Sequence, residues 1–504
     1  MASASPPDSE KGTKTATTAP PAYTLLTTRQ RYCIIVLIGT ATMFSPLTAN
    51  IYLPCIPLLQ HDYRVSLQLI NTTVTAYVIV QSIAPAFFSQ LADTVGRRPV
   101  YLVTFSIFIC ASIGLALQGD YAALLTLRMV QSVGSSVSTS IGFAVVADIA
   151  APAERGKLLG PVLMLVNLGP VIAPVIGGPL CDAAGWRWLF WLLTIVGSVF
   201  LVFVTLFLPE TNRKIVGNGI IRASGISRPL LSSLIPRAET YEQPVEKTYS
   251  SRWAKIKALT PHPLKSVALL FKKDSACVLS VAGLFYAAYY ILQASMAPLF
   301  AQAYGYNETE LGLCYLSISI GVIVGSQVQS RVLDWNYRVT AQSIGWDIDQ
   351  VGGDDLSRFP IERARARLAW LFTGLQCCCI LAYGWGLHFR LHPAMPLVFI
   401  FTEGCFGWVN SWNTLLIDTH RDSPATASAA SSLVRGLMAA GGVAVMEPLY
   451  SRIGVGPFFS LLVGVVFVFG QVLIWTIRTK GMKWRMEREG QALGETSDST
   501  TTAT

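Results

Sequence analysis

The chain has 504 residues, 52% of them hydrophobic and only 13% charged, whereas a soluble domain carries roughly 25% charged residues, so a soluble globular protein is excluded. A formal net charge of +9 would suit a nucleic-acid partner, but Lys and Arg sit in gaps between apolar runs and form no stripe, which excludes that class as well. The ten cysteines show neither metal-ligand nor disulfide-framework spacing, and Cys377, Cys378 and Cys379 lie inside an apolar run, where thiols behave as small hydrophobes.

Residues 1–31 are rich in Ser, Thr, Pro and Ala and lack the apolar core of a cleavable signal peptide. They read as a disordered tail, leaving the first span to act as the targeting signal. Six long apolar segments follow, at 32–59, 67–92, 99–118, 121–147, 158–180 and 186–208, each near or above the roughly twenty residues that cross a bilayer. The interval 210–274 is polar and basic and holds Pro229, Pro236 and Pro244, as suits a mobile linker. Six more apolar segments occupy 276–301, 311–329, 368–387, 393–417, 425–450 and 457–477, and a tail at 479–504 closes the chain, disordered from residue 489. The expectation is an all-α membrane protein of about twelve transmembrane helices in two six-helix bundles, 32–209 and 275–478.

Lys and Arg collect on one side of these spans: Arg97 and Arg98, Arg155 and Lys157, the interval 213–273, the interval 331–367, and Arg478, Lys480, Lys483 and Arg485. Short cytoplasmic loops are enriched in such residues, so both termini are expected in the cytoplasm. The sequon Asn307-Glu308-Thr309 then faces outside in a short loop, and little glycosylation is expected there. A weak echo links the halves: Ser89, Asp93 and Arg97 after the second span match Ser330, Asp334 and Arg338 after the eighth. Equivalent positions favour duplication.

No phosphate loop GxxxxGK[ST] and no HExxH, GxSxG or DxDxDG pattern occurs. Neither ATP hydrolysis nor enzyme chemistry nor a cofactor is therefore expected, and an ion gradient is the simpler energy source. Ionisable residues deep in a span mark functional sites. In the fourth span Arg128, Gln131, Ser135 and Ser138 share one helix face, with Arg128 about 10 Å below the outer end. Glu403 in the tenth span and Arg435 in the eleventh lie near the membrane midplane. They can pair with each other, or Glu403 can be a carboxyl that loads and unloads a proton. In the seventh span Tyr286, Tyr290 and Gln293 share a face, and Gly407, Asn410 and Thr414 continue the Glu403 face of the tenth. Aromatic rings with a few polar groups suit flat amphiphilic ligands, although rings at helical spacing also serve lipid or core contacts.

The segment Ser89-Gln-Leu-Ala-Asp93-Thr-Val-Gly96-Arg97-Arg98-Pro99 resembles the cytoplasmic signature of the major facilitator superfamily, with Ser89 at its first glycine. An Asp93–Arg97 lock that breaks as the halves rock fits this position; a solvated ion pair is the alternative. Leu127-Arg128-Met-Val-Gln131-Ser-Val-Gly134 resembles the RxxQGxG signature of proton-coupled members, and a structural Arg tied to carbonyls is the other reading. Gly160-x8-Gly169-Pro170-x2-Ala173-Pro174-x2-Gly177-Gly178 in the fifth span resembles the antiporter signature, while generic small-residue packing is the plainer account. Asn50-Ile-Tyr52-Leu-Pro54, Thr75-Ala-Tyr77, Leu208-Pro-Glu210-Thr211, Phe359-Pro-Ile-Glu362-Arg363-Ala364-Arg365 and Leu433-Val-Arg435 are similar to the fungal twelve-span drug:proton antiporters of the quinidine-resistance type.

The resemblance implies a monomeric plasma-membrane carrier that exports a small organic molecule, a drug or secondary metabolite, in exchange for protons. Arg128, Glu403 and Arg435 are then the coupling residues and Asp93, Arg97, Arg98, Asp334 and Arg338 the gate, with Asn50, Gln131, Tyr286, Tyr290, Gln293 and Asn410 at the cargo. A nutrient-importing symporter and a transport-incompetent sensor are the competing readings.

Overall fold

The computed structural model describes residues 24–150, 155–217, 225–229, 269–346, 359–407, 409–420 and 424–501. Helix α1 (Thr28–Asn50) opens on a reciprocal cap, in which the Thr27 side chain accepts from the Gln30 N–H and the Gln30 side chain accepts from the Thr27 N–H. The span expected over 32–59 is in fact broken: α1 stops at Asn50, a single tight turn covers Leu53–Cys55, and α2 runs Ile56–Tyr63. Pro54 explains the break, because it has no N–H to continue a ladder and fits the first positions of a new turn.

Helix α3 (Leu67–Val95) ends at Gly96, whose φ of 121° suits glycine, and α4 (Arg97–Leu117) begins at the next residue. This corner puts Arg97 one helical turn beyond Asp93. Helix α5 (Tyr121–Ile149) is capped by Asp120, α6 (Arg155–Ala184) carries four prolines, and α7 (Arg187–Phe207) is followed by the short α8 (Arg213–Val216). Helices α1 to α7 pack chiefly on one another.

The second half contains α9 (Lys273–Tyr304), α10 (Glu308–Ser343), the short α11 (Ile361–Arg365), α12 (Ala369–His388), α13 (Ala394–Phe406), α14 (Val409–Thr419), α15 (Pro424–Ile453) and α16 (Val455–Thr501). Among the described residues eleven helical stretches are long and apolar enough to cross a membrane, the bent α1–α2 pair counting as one. The remaining crossing, expected as one helix over 393–417, is divided between α13 and α14, with Gly407 leaving helical geometry at ψ 107°. Helix α16 continues to Thr501, where disorder was expected from residue 489. Lys480, Met482, Lys483, Arg485, Met486 and Glu487 are strong helix formers that outweigh Gly481 and carry the last span onward.

Apolar side chains face outward around this assembly, including Val199, Val202 and Phe203 on α7 and Val465, Val468, Val472 and Trp475 on α16, as contact with lipid requires. The two halves join mainly along α6–α10 and α3–α15. Most of the interval 210–274 lies outside the described residues.

Candidate functional site

On the face rich in basic loops, the corner between α3 and α4 organises a buried charge cluster. Arg97 pairs with Asp93 at 2.6 Å and with Asp148, near the end of α5, at 3.0 Å. Glu210 accepts the backbone N–H groups of Arg97 (2.9 Å), Arg98 (3.2 Å) and Asn212 (2.9 Å), so a carboxylate sits on the N-terminus of α4, where the helix dipole favours it. Asn212 returns its amide to the carbonyls of Ala92 and Asp93 at 3.1 and 3.0 Å. A side chain at position 96 would collide with the Glu210 carboxylate. Arg98 spreads its fork over the carbonyls of Thr205 (2.6 Å), Arg228 (2.7 Å) and Ile226. The composition boundary at 209/210 thus cuts through a packed cage, because a polar sequence there serves as a helix cap.

The expected echo in the second half is not a pair. Asp334 and Arg338 are both exposed, and no ion pair joins them among the described residues. Other residues form the cluster: Arg365 with Asp418 at 3.0 Å, Arg485 with Glu362 at 2.8 Å, and Arg488 with Asp274. Arg488 also reaches His420 Nε2 at 2.7 Å and the Thr419 carbonyl at 2.6 Å. Arginine can only donate, so His420 accepts at Nε2 and carries its proton on Nδ1, 3.2 Å from the Leu416 carbonyl. Burial, and then the neighbouring Arg488, hold this imidazole below the usual histidine range. Every pair in these clusters stays within its own half.

About 10 Å below the outer end of α5, Arg128 is fully enclosed, with its guanidinium 4.5 Å from the Tyr52 ring centre and 4.3 Å from that of Tyr77. One nitrogen donates to Gln131 at 2.9 Å and weakly to the Thr48 carbonyl at 3.4 Å. Gln131 passes its own amide to Ser112 at 2.9 Å, so it links the arginine to α4. The flanking hydroxyls are spoken for: Tyr52 meets Thr73 at 3.0 Å and Tyr77 meets Ser135 at 2.8 Å.

In the second half Tyr286, Tyr289 and Tyr290 form a three-ring cluster on α9, with Tyr286 and Tyr290 5.3 Å apart. Gln293 donates to Tyr289 at 3.0 Å. Arg435 lies over Tyr286 at 5.2 Å and donates to the Ser431 carbonyl and to Ser432 Oγ. Of the two alternatives for Glu403, a pair with Arg435 is not formed among the described residues. Glu403, 1% exposed, instead accepts from Gln376 at 2.8 Å across α12 and α13, and its second oxygen has no partner. Arg435 is turned toward α9 by its contact with Tyr286, which is why the two charges miss each other.

The fifth-span glycines act unequally. A methyl at Gly169 would press on Pro46 and the α1 backbone, and one at Gly177 on the Ile51 carbonyl. At Gly178 it would strike the α10 backbone at Glu308 and Gly312. Ala173 is fully buried, and the Pro170 carbonyl, freed by the prolines of this helix, accepts from Ser319 of α10 at 3.4 Å. Pro174 offers its carbonyl where a side chain at Gly312 would go. Gly160 faces open space, so close packing does not account for it. Contacts between the halves thus lie from mid-membrane to the neutral face, where Thr309 donates to Asp182 at 2.7 Å and Gln68 to the Ala444 carbonyl at 3.0 Å.

Asn50 turns its amide onto its own helix, at the Pro46 carbonyl 2.7 Å away. Asn410 falls in α14 with its side chain outside the described residues. Asn307 caps α10 by accepting from the Glu310 N–H at 2.8 Å. Sequence reasoning missed Asp148, Asp418, Gln376 and Tyr289. The two aspartates each stand one residue before the end of a helix, and Gln376 is a lone amide in an apolar run; these are the signals that mark them.

Two helical bundles around a mid-membrane zone of buried polar groups have the build of a secondary transporter. The sequence profile of the Major Facilitator Superfamily matches residues 38–445, and the chain belongs to that superfamily of multi-pass membrane transporters. It is 34% identical over 472 residues to the MFS-type transporter phiD of Fungal sp., covering 92% of this chain and 70% of that one. Citrate exporter 1 of Aspergillus niger is 32% identical over 478 residues, covering 93% and 89%. Among solved structures, a partially occluded inward-open form of the xylose transporter XylE from E. coli superposes with a TM-score of 0.62 at 11% identity, covering 89% and 98%.

Proposed function

We propose that this transporter is a proton-coupled antiporter that exports small organic molecules across the plasma membrane, working as a monomer by alternating access with both termini in the cytoplasm. The observation that carries the reading is Glu403. It is a carboxyl 1% exposed in mid-membrane, held by one amide and facing no cation among the described residues. Charge left there is expensive, and a proton is the simplest neutralising agent. Closure on the neutral face, with each basic-face ion cluster confined to its own half, supports a state open to the cytoplasm. The tight α1–α6–α10 seam supports the antiporter assignment of the fifth-span motif. The export direction is supported by the Aspergillus niger relative, a citrate exporter.

Glu403→Gln mimics the protonated form. In proteoliposomes it should abolish efflux driven by an imposed pH gradient while equilibrium exchange without a gradient persists. Gradient-driven efflux surviving in Glu403→Gln would remove this residue from the proton path, and loss of both activities would assign it a structural role.

A further inference from the structure

Two arginines lie in the membrane core, one in each half, and neither faces a carboxylate among the described residues. Arg128 lies between the rings of Tyr52 and Tyr77, with Tyr290 beyond them, and pairs with no acid among the described residues. Its Nε and one terminal nitrogen, both buried, have no hydrogen-bond partner at all. A guanidinium offers five N–H donors, and a purely structural arginine at this depth would satisfy them on carbonyls or an acid. Arg435 is half-buried, and its two hydrogen bonds to Ser431 and Ser432 are long, 3.3 and 3.4 Å. A cation at mid-span that is not fully covered is tolerated where it can meet water in an internal cleft, since hydrocarbon would not solvate it.

Tyrosines connect the two. Arg435 lies on Tyr286, the Tyr286 ring is 5.3 Å from that of Tyr290, and Tyr290 is close enough to interact electrostatically with Arg128. Counting residues from the basic-face ends of α15, α9 and α5, the four groups form a rising series that spans about 15 Å at 1.5 Å per residue. The lower step is half-buried and the upper one is fully enclosed.

We propose that the cargo is an organic anion with at least one carboxylate, received from the cleft by Arg435 and held by Arg128, with its apolar body against Tyr286 and Tyr290. This rests on the transporter reading above and adds the charge of the cargo. Carboxylates satisfy a guanidinium fork with two parallel hydrogen bonds, and flat carbon skeletons suit the tyrosine faces. Glu403 bonds Gln376 and lies near Tyr289, whose ring adjoins those of Tyr286 and Tyr290, so the proton group borders the anion site without being one of its cations.

The test is isothermal titration of the purified full-length protein with three compounds of similar skeleton: phenylsuccinate, its neutral diamide, and phenethylammonium. Phenylsuccinate should bind at least tenfold more tightly than the other two. Arg435→Gln and Arg128→Gln should each weaken it by about tenfold or more, and Arg435→Lys should retain part of the affinity. Should Arg128→Gln fail to fold, the half-buried Arg435 variants still decide the matter. No binding of phenylsuccinate, equal binding of the diamide or the amine, or an unchanged affinity in Arg435→Gln would overturn the proposal. Anion binding without proton-driven efflux would sink the antiport reading and leave the anion site standing; proton-driven efflux confined to neutral or cationic compounds would do the reverse.

Discussion

The charge clusters on the basic face occupy matching places in the two halves but use different residues. In the first half the arginine opening the third crossing meets an aspartate one residue before the end of the fourth, Arg97 with Asp148. In the second, an arginine just before the ninth crossing meets an aspartate one residue before the end of the tenth, Arg365 with Asp418. The flanking contacts reverse sign: acidic Glu210 after the sixth crossing caps the third, while basic Arg485 on the twelfth pairs with Glu362 before the ninth. The duplicated feature is therefore a place where helix ends need closing, and either charge can close it.

Burial ranks what each cluster contributes. Arg485 and Glu362 have side chains 2% and 4% exposed, so Arg485→Ala leaves a buried carboxylate without its partner and should cost about 3 kcal/mol or more, seen as a large drop in melting temperature of the purified protein. A drop no larger than that of an exposed control such as Lys483→Ala would mean that the second cluster closes nothing. Asp93, 47% exposed, is nearer a surface pair worth under about 1 kcal/mol. Asp93→Asn should leave the protein folded and in the membrane but slow transport severalfold, because the pair belongs to one conformation, whereas Asp334→Asn should change nothing. Equal slowing by both would restore the sequence echo as a functional pair. The smallest expected effect separates the clusters by pH. His420 is held neutral in the folded protein while the unfolded chain gains a proton below about pH 6.5. Stability should therefore fall as pH drops through that range, and the loss should diminish in His420→Gln. The first cluster contains no histidine, and an identical pH slope in wild type and His420→Gln would show that the imidazole is not the sensor.

The architecture was legible in the sequence because it rests on apolar run length and on where Lys and Arg collect. Asp93–Arg97 was legible for a different reason: both lie within one corner of chain, at i and i+4, so local geometry nearly determines the contact. The partners that give the pair its burial are 51 and 113 residues away from Arg97, at Asp148 and Glu210, and no local pattern points to them. Glu403 and Arg435 illustrate the opposite limit. Equal depth left a pair open as one of two readings, but depth says nothing of rotation about the helix axis, and Arg435 faces Tyr286 while Glu403 faces Gln376. The breaks at Pro54 and Gly407 were masked by hydropathy, which averages over single residues.

The contact of Gly178 with Gly312 gives the joint between the halves a smooth bearing surface. At this crossing the two helices meet backbone to backbone, so parting them here strips no rotamers from their sockets; the Thr309–Asp182 and Ser319–Pro170 bonds flank it on either side. A joint of this kind can open and close on every transport cycle with little friction, and its tolerance is set by the width of a hydrogen atom. The first methyl group to appear on either glycine would wedge it.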